Sequence, residues 1–163
     1  EIEIVRLGAI LHDVGKIGIP DRVLLKPGPL DDEERRIIET HTEIGDKLLE
    51  PLDLLAGARP IVRHHHERWD GGGYPDGLAR EEIPVGARIV AVADSVEAMT
   101  SRQLYRKPLE ADEIIGELQK HRGKQWDPAV VDIVLGLIAG GELVLAQGGL
   151  RLLELPTLTR RRR

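Results

Sequence analysis

The sequence predicts an all-α domain, and two kinds of signal indicate this class. Apolar residues recur at helical spacing over long segments such as 2–14 and 85–101. Helix-start signals recur as well, with Asp31 followed by Glu34 as a capping box and Asp127-Pro128 as an N-cap with a first-turn proline. The length of 163 residues fits one domain. We therefore expect a single bundle of about six to seven helices.

The amino-terminal half is expected to hold three helices, over residues 2–14, 31–49 and 60–69. Residues 15–29 are rich in Gly and Pro, which predicts a loop with one helical turn at 22–25. Gly15 ends the first helix and the glycines after Asp70 end the third. The apolar spacing predicts a buried face on the first helix, formed by Ile4, Leu7, Ile10 and Leu11.

The carboxy-terminal half is expected to hold helices over 85–101, 110–121 and 127–139. The first of these should bury Ile89, Val92, Ala93 and Val96. Two short apolar runs, 143–145 and 150–153, flank Gln147-Gly148-Gly149 and predict a short hairpin or an extended strap. We divide the chain into a helical body at 1–141, with a preceding helix expected to be truncated, and a C-terminal extension at 142–163 with an Arg-rich end.

Composition and charge exclude several classes of protein. The 23 Lys and Arg against 28 Asp and Glu give a formal net charge of −5, which argues against binding to a nucleic-acid polymer. The chain has no cysteine, so it forms neither disulfides nor thiolate metal sites. Its apolar runs are shorter than the about 20 residues of a membrane span, and we expect a cytoplasmic domain. Any metal must be bound by histidine and oxygen ligands.

Histidine is concentrated on the predicted helices or at their ends. Five of the six histidines are His12, His41, His64, His65 and His66. Imidazoles together with carboxylates suit divalent Mn, Fe, Co, Ni or Zn. His12 and Asp13 form a compact pair of ligands, because the two oxygens of a carboxylate can bridge two ions. An isolated His-Asp pair is more often solvated, so this pair alone does not define a site.

Asp94 strengthens the metal hypothesis because it follows the apolar run 89–93. A carboxylate buried among such residues needs a cation or a full set of hydrogen bonds. A metal ion would supply the cation, and Arg88 or Arg102 is the alternative partner.

The run His64-His65-His66 allows two interpretations. Consecutive helical residues point about 100° apart, so the three rings cannot all face one ion, whereas two neighbours at a helix end can. A surface cluster is the alternative. Glu67 could orient a ligand as a hydrogen-bond acceptor or be solvated. Lys16, four residues after His12, could reach a phosphate or be an ordinary solvated cation.

Several blocks of the chain resemble the HD-GYP family. The block around Gly73-Tyr74-Pro75 is highly specific, whereas the short His-Asp signature marks only the wider HD superfamily. The similarity covers roughly residues 7–128. The blocks that carry it are His12-Asp13-Val14-Gly15-Lys16-Ile17-Gly18-Ile19-Pro20, Lys26-Pro27-Gly28, His65-His66-Glu67-Arg68-Trp69-Asp70-Gly71-Gly72-Gly73-Tyr74-Pro75 and Ala91-Val92-Ala93-Asp94.

The resemblance implies an HD-domain helical bundle that holds two divalent ions, Fe or Mn first, with Ni, Co, Zn or Mg as alternatives. It assigns His12, Asp13 and Asp94 to one ion. It assigns His41, His65 and His66 to the other, with Asp13 bridging the two ions and His64 outside the site.

The implied activity is hydrolysis of cyclic di-GMP to pGpG, and on to GMP, by a metal-bridging hydroxide. Asp13 and Lys16 are the implied catalytic residues, and Lys16 would also contact the substrate. The resemblance further implies an upstream sensor or receiver domain, and contact with diguanylate cyclase domains through the loop at Gly73, Tyr74 and Pro75. It is also compatible with a homodimer.

Two departures from the family pattern motivate alternative hypotheses. Family members carry a further histidine upstream of the His-Asp pair, and the eleven residues before His12 hold none. Gln103 stands where the family has an arginine that contacts the dinucleotide, and Gln cannot make a charge-assisted bidentate contact to phosphate. Arg102 and Arg106 remain as substrate-binding candidates. The alternatives are a degenerate module that binds a nucleotide or a partner protein, and a phosphohydrolase that acts on another nucleotide.

Overall fold

The computed structural model describes residues 1–101, 108–146 and 149–152. In that part the chain is a helical bundle followed by a small antiparallel sheet, which confirms the predicted fold class. Residues 143–146 and 149–152 pair as two antiparallel strands (the hairpin), with Leu143 opposite Leu152, and do not form an extended strap. The elements are α1 (Ile2–Leu11), α2 (Asp21–Leu24), α3 (Asp32–Glu39), α4 (His41–Leu49), α5 (Arg59–His64), α6 (Val85–Thr100), α7 (Ala111–His121), α8 (Pro128–Ala139), β1 (Leu143–Ala146) and β2 (Gly149–Leu152), with 3₁₀ segments at Val14–Gly18, Asp53–Leu55 and Arg80–Glu82.

Helix α1 ends at Leu11 and does not continue to Val14 as predicted. The ring of His12 hydrogen-bonds the carbonyl of Ala9 at 2.7 Å, and after Asp13 the backbone tightens into the first 3₁₀ segment. The end of the helix therefore carries the adjacent His12-Asp13 pair.

The predicted buried face of α1 is wrong in part. Ile4 and Ile10 are 41% and 64% exposed, whereas Gly8 is buried. A Cβ at Gly8 would lie 2.7 Å from the side chain of Ile61 on α5. The helix packs through a glycine that allows close approach, and the apolar spacing alone did not reveal this contact.

The single helix predicted over 31–49 is two helices, α3 and α4, with a break at Thr40. Asp31 caps α3 and forms the predicted capping box with Glu34. At the break, the Thr40 hydroxyl donates to the carbonyl of Ile37 at 2.7 Å. A side chain that binds a helix carbonyl in this way competes with the helical ladder. The break makes His41 the first residue of α4.

Gly15 brings the first 3₁₀ segment against the start of α4. A Cβ at Gly15 would lie 1.9 Å from the carbonyl oxygen of His41 and 2.5 Å from the nitrogen of Gly45. No side chain fits in that space, so glycine is required here for the two backbones to touch. This contact holds Asp13 beside His41.

The main apolar core lies in the carboxy-terminal half, where α6, α7 and α8 meet. Its buried members are Val92, Val96, Ile114, Leu118, Trp126 and Val131. Leu145 and Leu150 of the hairpin pack against this cluster. The predicted helices over 110–121 and 127–139 are confirmed to within one residue at each end.

Helix α6 divides its residues between this core and the opposite face. Val92 and Val96 are buried as predicted, but Ile89 is 40% exposed and Ala93 is also exposed. The helical periodicity identified apolar positions without showing which of them meet another helix. The exposed side of α6 faces away from the core and carries Asp94.

Arg88, at the start of α6, ties this helix to α8. Its guanidinium donates to the Asp127 carboxylate and to the carbonyl of Ile83, both at 2.8 Å, and Asp127 also caps α8. Arg88 is therefore engaged with Asp127, while Arg102, the other suggested partner of Asp94, lies outside the described residues.

None of the helices in the described part of the chain is long and apolar enough to cross a membrane. The Arg-rich end at 160–163, Leu153 and the pair Gln147-Gly148 lie outside the described residues. The division of the chain at residue 141 stays a prediction.

Candidate metal centre

Four separate segments bring the predicted ligands to one place. His12 and Asp13 follow the end of α1, His41 begins α4, and His65 and His66 follow the end of α5. Asp94 comes from the middle of α6. The described residues therefore assemble a cluster of imidazoles and carboxylates from residues that lie up to 82 positions apart in sequence.

Three of the four imidazoles are oriented by a backbone carbonyl. The Nδ1 atoms of His12, His41 and His65 lie 2.7, 2.6 and 2.8 Å from the carbonyl oxygens three residues earlier. A carbonyl only accepts hydrogen bonds, so each Nδ1 carries a proton and each Nε2 is the atom left to face a metal ion. This is the usual outer support of a metal-bound histidine.

The offered atoms are spaced as ligands of a shared ion would be. The Nε2 atom of His41 lies 3.4 Å from Nε2 of His65 and 3.5 Å from Oδ1 of Asp13. On the other side, Nε2 of His12 lies 3.4 Å from Oδ2 of Asp13 and 3.6 Å from Oδ1 of Asp94. Two atoms bound to one ion at about 2.1 Å are about 3.0–3.4 Å apart. The spacing fits metal coordination after a small contraction.

Asp13 lies between these two groups. Its Oδ2 faces His12 and accepts a hydrogen bond from Lys16 at 2.6 Å. Its Oδ1 faces His41, is buried, and has no hydrogen-bond partner among the described residues. A buried carboxylate oxygen without a partner costs free energy unless a cation meets it. The donor set and this unsatisfied oxygen fit a divalent ion on the His41 side.

The protonation states also suit a metal. Burial lowers the pKa of His65 to about 3 and that of His66 to about 4, and in each case a neighbouring histidine adds to the effect. Both rings are therefore neutral near pH 7, which is the form that binds metals.

The carboxylate side of the cluster behaves in the opposite way. Hydrogen bonds to Asp13 and then to Asp94 raise the pKa of His12 to about 10. Burial alone would raise the pKa of Asp13, but hydrogen bonds from His12 and Lys16 outweigh it and hold that pKa well below its usual range. The hydrogen bond from His12 likewise lowers the pKa of Asp94. Both carboxylates are ionised and lie against the cations of His12 and Lys16, so a metal ion that binds Nε2 of His12 must displace its proton.

Asp94 is less buried than its apolar sequence context predicts. Its side chain is 32% exposed, and it borders an open cavity of about 290 Å³ that Ala9, Ala93 and Glu97 also line. The carboxylate therefore faces the histidine cluster and this cavity instead of the apolar core.

The predicted loop at Gly73, Tyr74 and Pro75 lies beside the cluster. The ring of Tyr74 stacks on His66 with centroids 4.9 Å apart and approaches His41 edge-on at 6.4 Å. Sequence reasoning did not reveal this stacking.

His64 points away from the cluster, as expected. Its Nδ1 lies 3.5 Å from Oδ2 of Asp76 and 3.9 Å from Oε1 of Glu67. These three residues form a second group of candidate ligand atoms. Arg63 already binds both oxygens of Asp76, at 2.7 and 2.8 Å, so its positive charge opposes a cation at this second group.

The remaining predicted site residues do not join the cluster or cannot be placed. Arg102, Gln103 and Arg106 lie outside the described residues. The sixth histidine, His121, lies on α7, where its ring is 3.3 Å from the Glu117 carboxylate and packs edge-on against Trp126.

The helical bundle and its His/Asp cluster agree with a match to a known family. The family model described as "HD domain" matches residues 3–130. This chain therefore belongs to the HD domain family, and the resemblance to its HD-GYP branch is confirmed by the relatives that it matches.

Two curated relatives are similar over most of the chain. The "Cyclic di-GMP phosphodiesterase" of Thermotoga maritima is 48% identical over 135 residues, which are 82% of this chain and 37% of that protein. The "Cyclic di-GMP phosphodiesterase response regulator RpfG" of Xanthomonas campestris is 46% identical over 138 residues, 83% of this chain and 36% of that protein. The chain thus spans about a third of the length of these relatives.

A solved structure supports the fold. The crystal structure of a cyclic GMP-AMP specific phosphodiesterase of Vibrio cholerae matches with a TM-score of 0.58 and 19% identity, over 83% of this chain and 38% of that one. At this identity the likeness concerns the fold alone.

Proposed function

We propose that this chain is the catalytic module of a cyclic di-GMP phosphodiesterase that gives pGpG, and GMP by a second cleavage. The observation that carries the proposal is the position of Asp13, which directs one carboxylate oxygen to His12 and the other to His41. His12 in turn lies 3.6 Å from Asp94, and His41 lies 3.4 Å from His65. The curated relatives described above bear names that specify cyclic di-GMP.

Two divalent ions are proposed for this centre, with Fe or Mn preferred over Ni, Co, Zn or Mg. His12, Asp13 and Asp94 would hold the first ion. His41, His65 and His66, together with Asp13, would hold the second. When bound, such ions lower the pKa of water and stabilise charge on phosphate oxygens.

Lys16 is proposed to act on the substrate from the edge of the centre. Its ammonium group lies 2.6 Å from Oδ2 of Asp13 and its side chain is 38% exposed. A cation at this position can donate a hydrogen bond to a phosphate oxygen and orient the scissile bond. Arg106, with Arg102 and Gln103, remains the proposed contact to the rest of the dinucleotide.

The wider assignments stay predictions. They comprise a cytoplasmic protein, an upstream sensor or receiver domain, a homodimer, and contact with diguanylate cyclase domains through the Gly73-Tyr74-Pro75 loop. The name of the Xanthomonas relative describes that protein as a response regulator, which favours a receiver domain as the upstream partner.

The test is hydrolysis of cyclic di-GMP by the purified chain with added Mn²⁺ or Fe²⁺. We expect wild-type protein and a His121→Ala control to release pGpG, because His121 lies outside the cluster, and a His12→Ala, Asp13→Ala double variant to release none. Equal rates for wild type and the double variant would rule out the site.

Two further measurements separate the alternatives. Calorimetric binding of cyclic di-GMP without product would indicate a degenerate binding module, the hypothesis that Gln103 motivates. Faster cleavage of 3′3′-cGAMP than of cyclic di-GMP would indicate that the substrate is a different cyclic dinucleotide.

A further inference from the structure

His66 differs from the other three imidazoles of the cluster in how its ring is held. His12, His41 and His65 each donate Nδ1–H to a carbonyl oxygen three residues earlier. Among the described residues, the ring of His66 makes no hydrogen bond. Since a ligand ring needs a defined rotation to aim its nitrogen at a metal, something other than a carbonyl must orient His66.

Tyr74 is the residue placed to do this. Its ring is stacked on His66 at a centroid distance of 4.9 Å and an interplanar angle of 30°. The ring of His66 also lies 4.1 Å from the ring of His65. The ring of His41 lies edge-on to His66 at 5.1 Å, so the imidazole contacts three rings, and such aromatic pairs contribute about 0.5–1.5 kcal/mol each beyond their buried area.

The loop that carries Tyr74 is fixed to the segment that carries His66. The backbone N–H of Tyr74 donates to the carbonyl of His66 at 3.3 Å, and that of Asp76 donates to Oε1 of Glu67 at 2.8 Å. A Cβ at Gly73 would lie 2.5 Å from the Cα of Glu67. The loop therefore folds directly back over the residues that follow α5.

Glu67 closes this loop from inside the protein. Its side chain is fully buried. It accepts a hydrogen bond from the backbone N–H of Asp76 across the loop. Arg63 secures the same point from outside by binding both oxygens of the Asp76 carboxylate. Residue 76 is thus held at its backbone and at its side chain, two positions after Tyr74.

We propose that Tyr74 is a positioning residue for the metal ligand His66. Glu67 holds the loop in the position that keeps Tyr74 stacked on that ring. The proposal rests on the proposed function only in taking His66 as a metal ligand. It gives the Gly73-Tyr74-Pro75 loop a role inside this chain that is separate from any contact with partner domains. It also accounts for the absence of a carbonyl partner on His66.

The test measures metal binding directly, with Co²⁺ as the probe. Metal-free wild type, Tyr74→Leu, Tyr74→Phe, Glu67→Ala and Glu67→Gln are titrated with Co²⁺ by equilibrium dialysis, and the visible d–d spectrum of bound Co²⁺ is recorded. Tyr74→Leu should lower the affinity for one of the two ions by about 10- to 100-fold, the usual effect of losing an outer support of a ligand. It should also change the spectrum of bound Co²⁺. Tyr74→Phe keeps the stacking ring and should stay close to wild type.

The two Glu67 variants test the role of Glu67 in holding the loop, independently of the tyrosine. Glu67→Ala should lower the affinity for the same ion and alter the spectrum as Tyr74→Leu does. Glu67→Gln keeps an oxygen that can accept the hydrogen bond from Asp76, so its affinity and spectrum should stay close to those of wild type. Far-ultraviolet circular dichroism of the metal-free variants separates a local effect from loss of the fold. If Tyr74→Leu misfolds, the Glu67 pair decides the question.

The outcomes distinguish this proposal from the proposed function. Wild-type affinity and spectrum in both folded Tyr74→Leu and folded Glu67→Ala would overturn the positioning role. The same affinity in His66→Ala as in wild type would also overturn it, because His66 would not be a ligand. A chain that binds Co²⁺ with the expected dependence on Tyr74 but cleaves no cyclic di-GMP would support the positioning role and refute the function.

Discussion

The two halves of this domain both bury apolar side chains but differ in the polar groups buried beside them. Around α7, α8 and the hairpin, the buried cluster is apolar and includes Ile114, Leu118 and Val131. Around α1, α4 and α5, the buried set includes His41, His65 and Glu67, and glycines replace side chains where backbones meet. Helix α6 belongs to both halves, with Val96 in the apolar core and Asp94 at the metal centre.

This difference concerns the cost of the buried polar groups. Burial of an apolar side chain stabilises by about 1.5–3 kcal/mol, and both halves gain from it, the amino-terminal half through Ile61 and Val62 among others. The amino-terminal half (the polar half) also buries carboxylate oxygens of Asp13 and Glu67 that have no hydrogen-bond partner among the described residues. Metal ions should therefore stabilise the polar half most.

The largest expected effect is the loss of hydrolysis when a candidate metal ligand of the polar half is removed. His65→Ala removes a buried ring that lies 3.4 Å from His41, and cyclic di-GMP hydrolysis should fall by about 1,000-fold or more, since metal stabilisation of the transition state is worth several kcal/mol. Metal content by mass spectrometry should fall in parallel. Full metal content and full activity in this variant would show that the cluster is not the catalytic centre.

The second effect tests the apolar half. Leu118→Ala, at a fully buried position, should lower the free energy of unfolding by about 2–5 kcal/mol. Urea denaturation followed by circular dichroism measures this loss, and the folded fraction should still bind metal with wild-type stoichiometry. Loss of metal binding in the folded variant would mean that the two halves are not separable.

A matched pair of glycine substitutions should change the free energy of unfolding by smaller amounts and in opposite directions. Gly15→Ala places a methyl group 1.9 Å from the carbonyl of His41, so it should cost about 1–3 kcal/mol by overpacking and weaken metal binding by moving Asp13. Gly116→Ala, in α7 with open space around the added Cβ, should instead stabilise by about 0.5–1 kcal/mol. Thermal unfolding of both variants checks the signs. A Gly15→Ala protein as stable as wild type would remove the argument for close backbone contact.

The sequence predicted the members of the cluster better than the way they are held. Residue chemistry made His12, Asp13 and the histidine run candidates, because imidazoles and carboxylates together are the ligands that divalent transition metals prefer. Each had a solvated alternative, and the choice of ligands came from the resemblance to the HD-GYP family. The carboxylate of Asp94 was found through its apolar surroundings, although its side chain is partly exposed and not buried.

What the sequence could not predict depends on contacts between segments. Periodicity marks apolar positions, but it does not show that Gly8 takes the buried place that Ile4 and Ile10 were expected to share. The break at Thr40 arises from side chains that bind backbone carbonyls. The stack of Tyr74 on His66 joins a loop to the residues after a helix. None of these contacts has a spacing signal.

Asp13 is proposed to lie between two metal ions. Anomalous scattering from crystals of metal-loaded protein, recorded on both sides of the metal absorption edge, tests it directly. We expect two peaks about 3.5–4 Å apart, each within bonding distance of a different oxygen of Asp13, one beside His12 and Asp94 and the other beside His41 and His65. A single peak, or peaks only at the His64, Glu67 and Asp76 group, would contradict the claim.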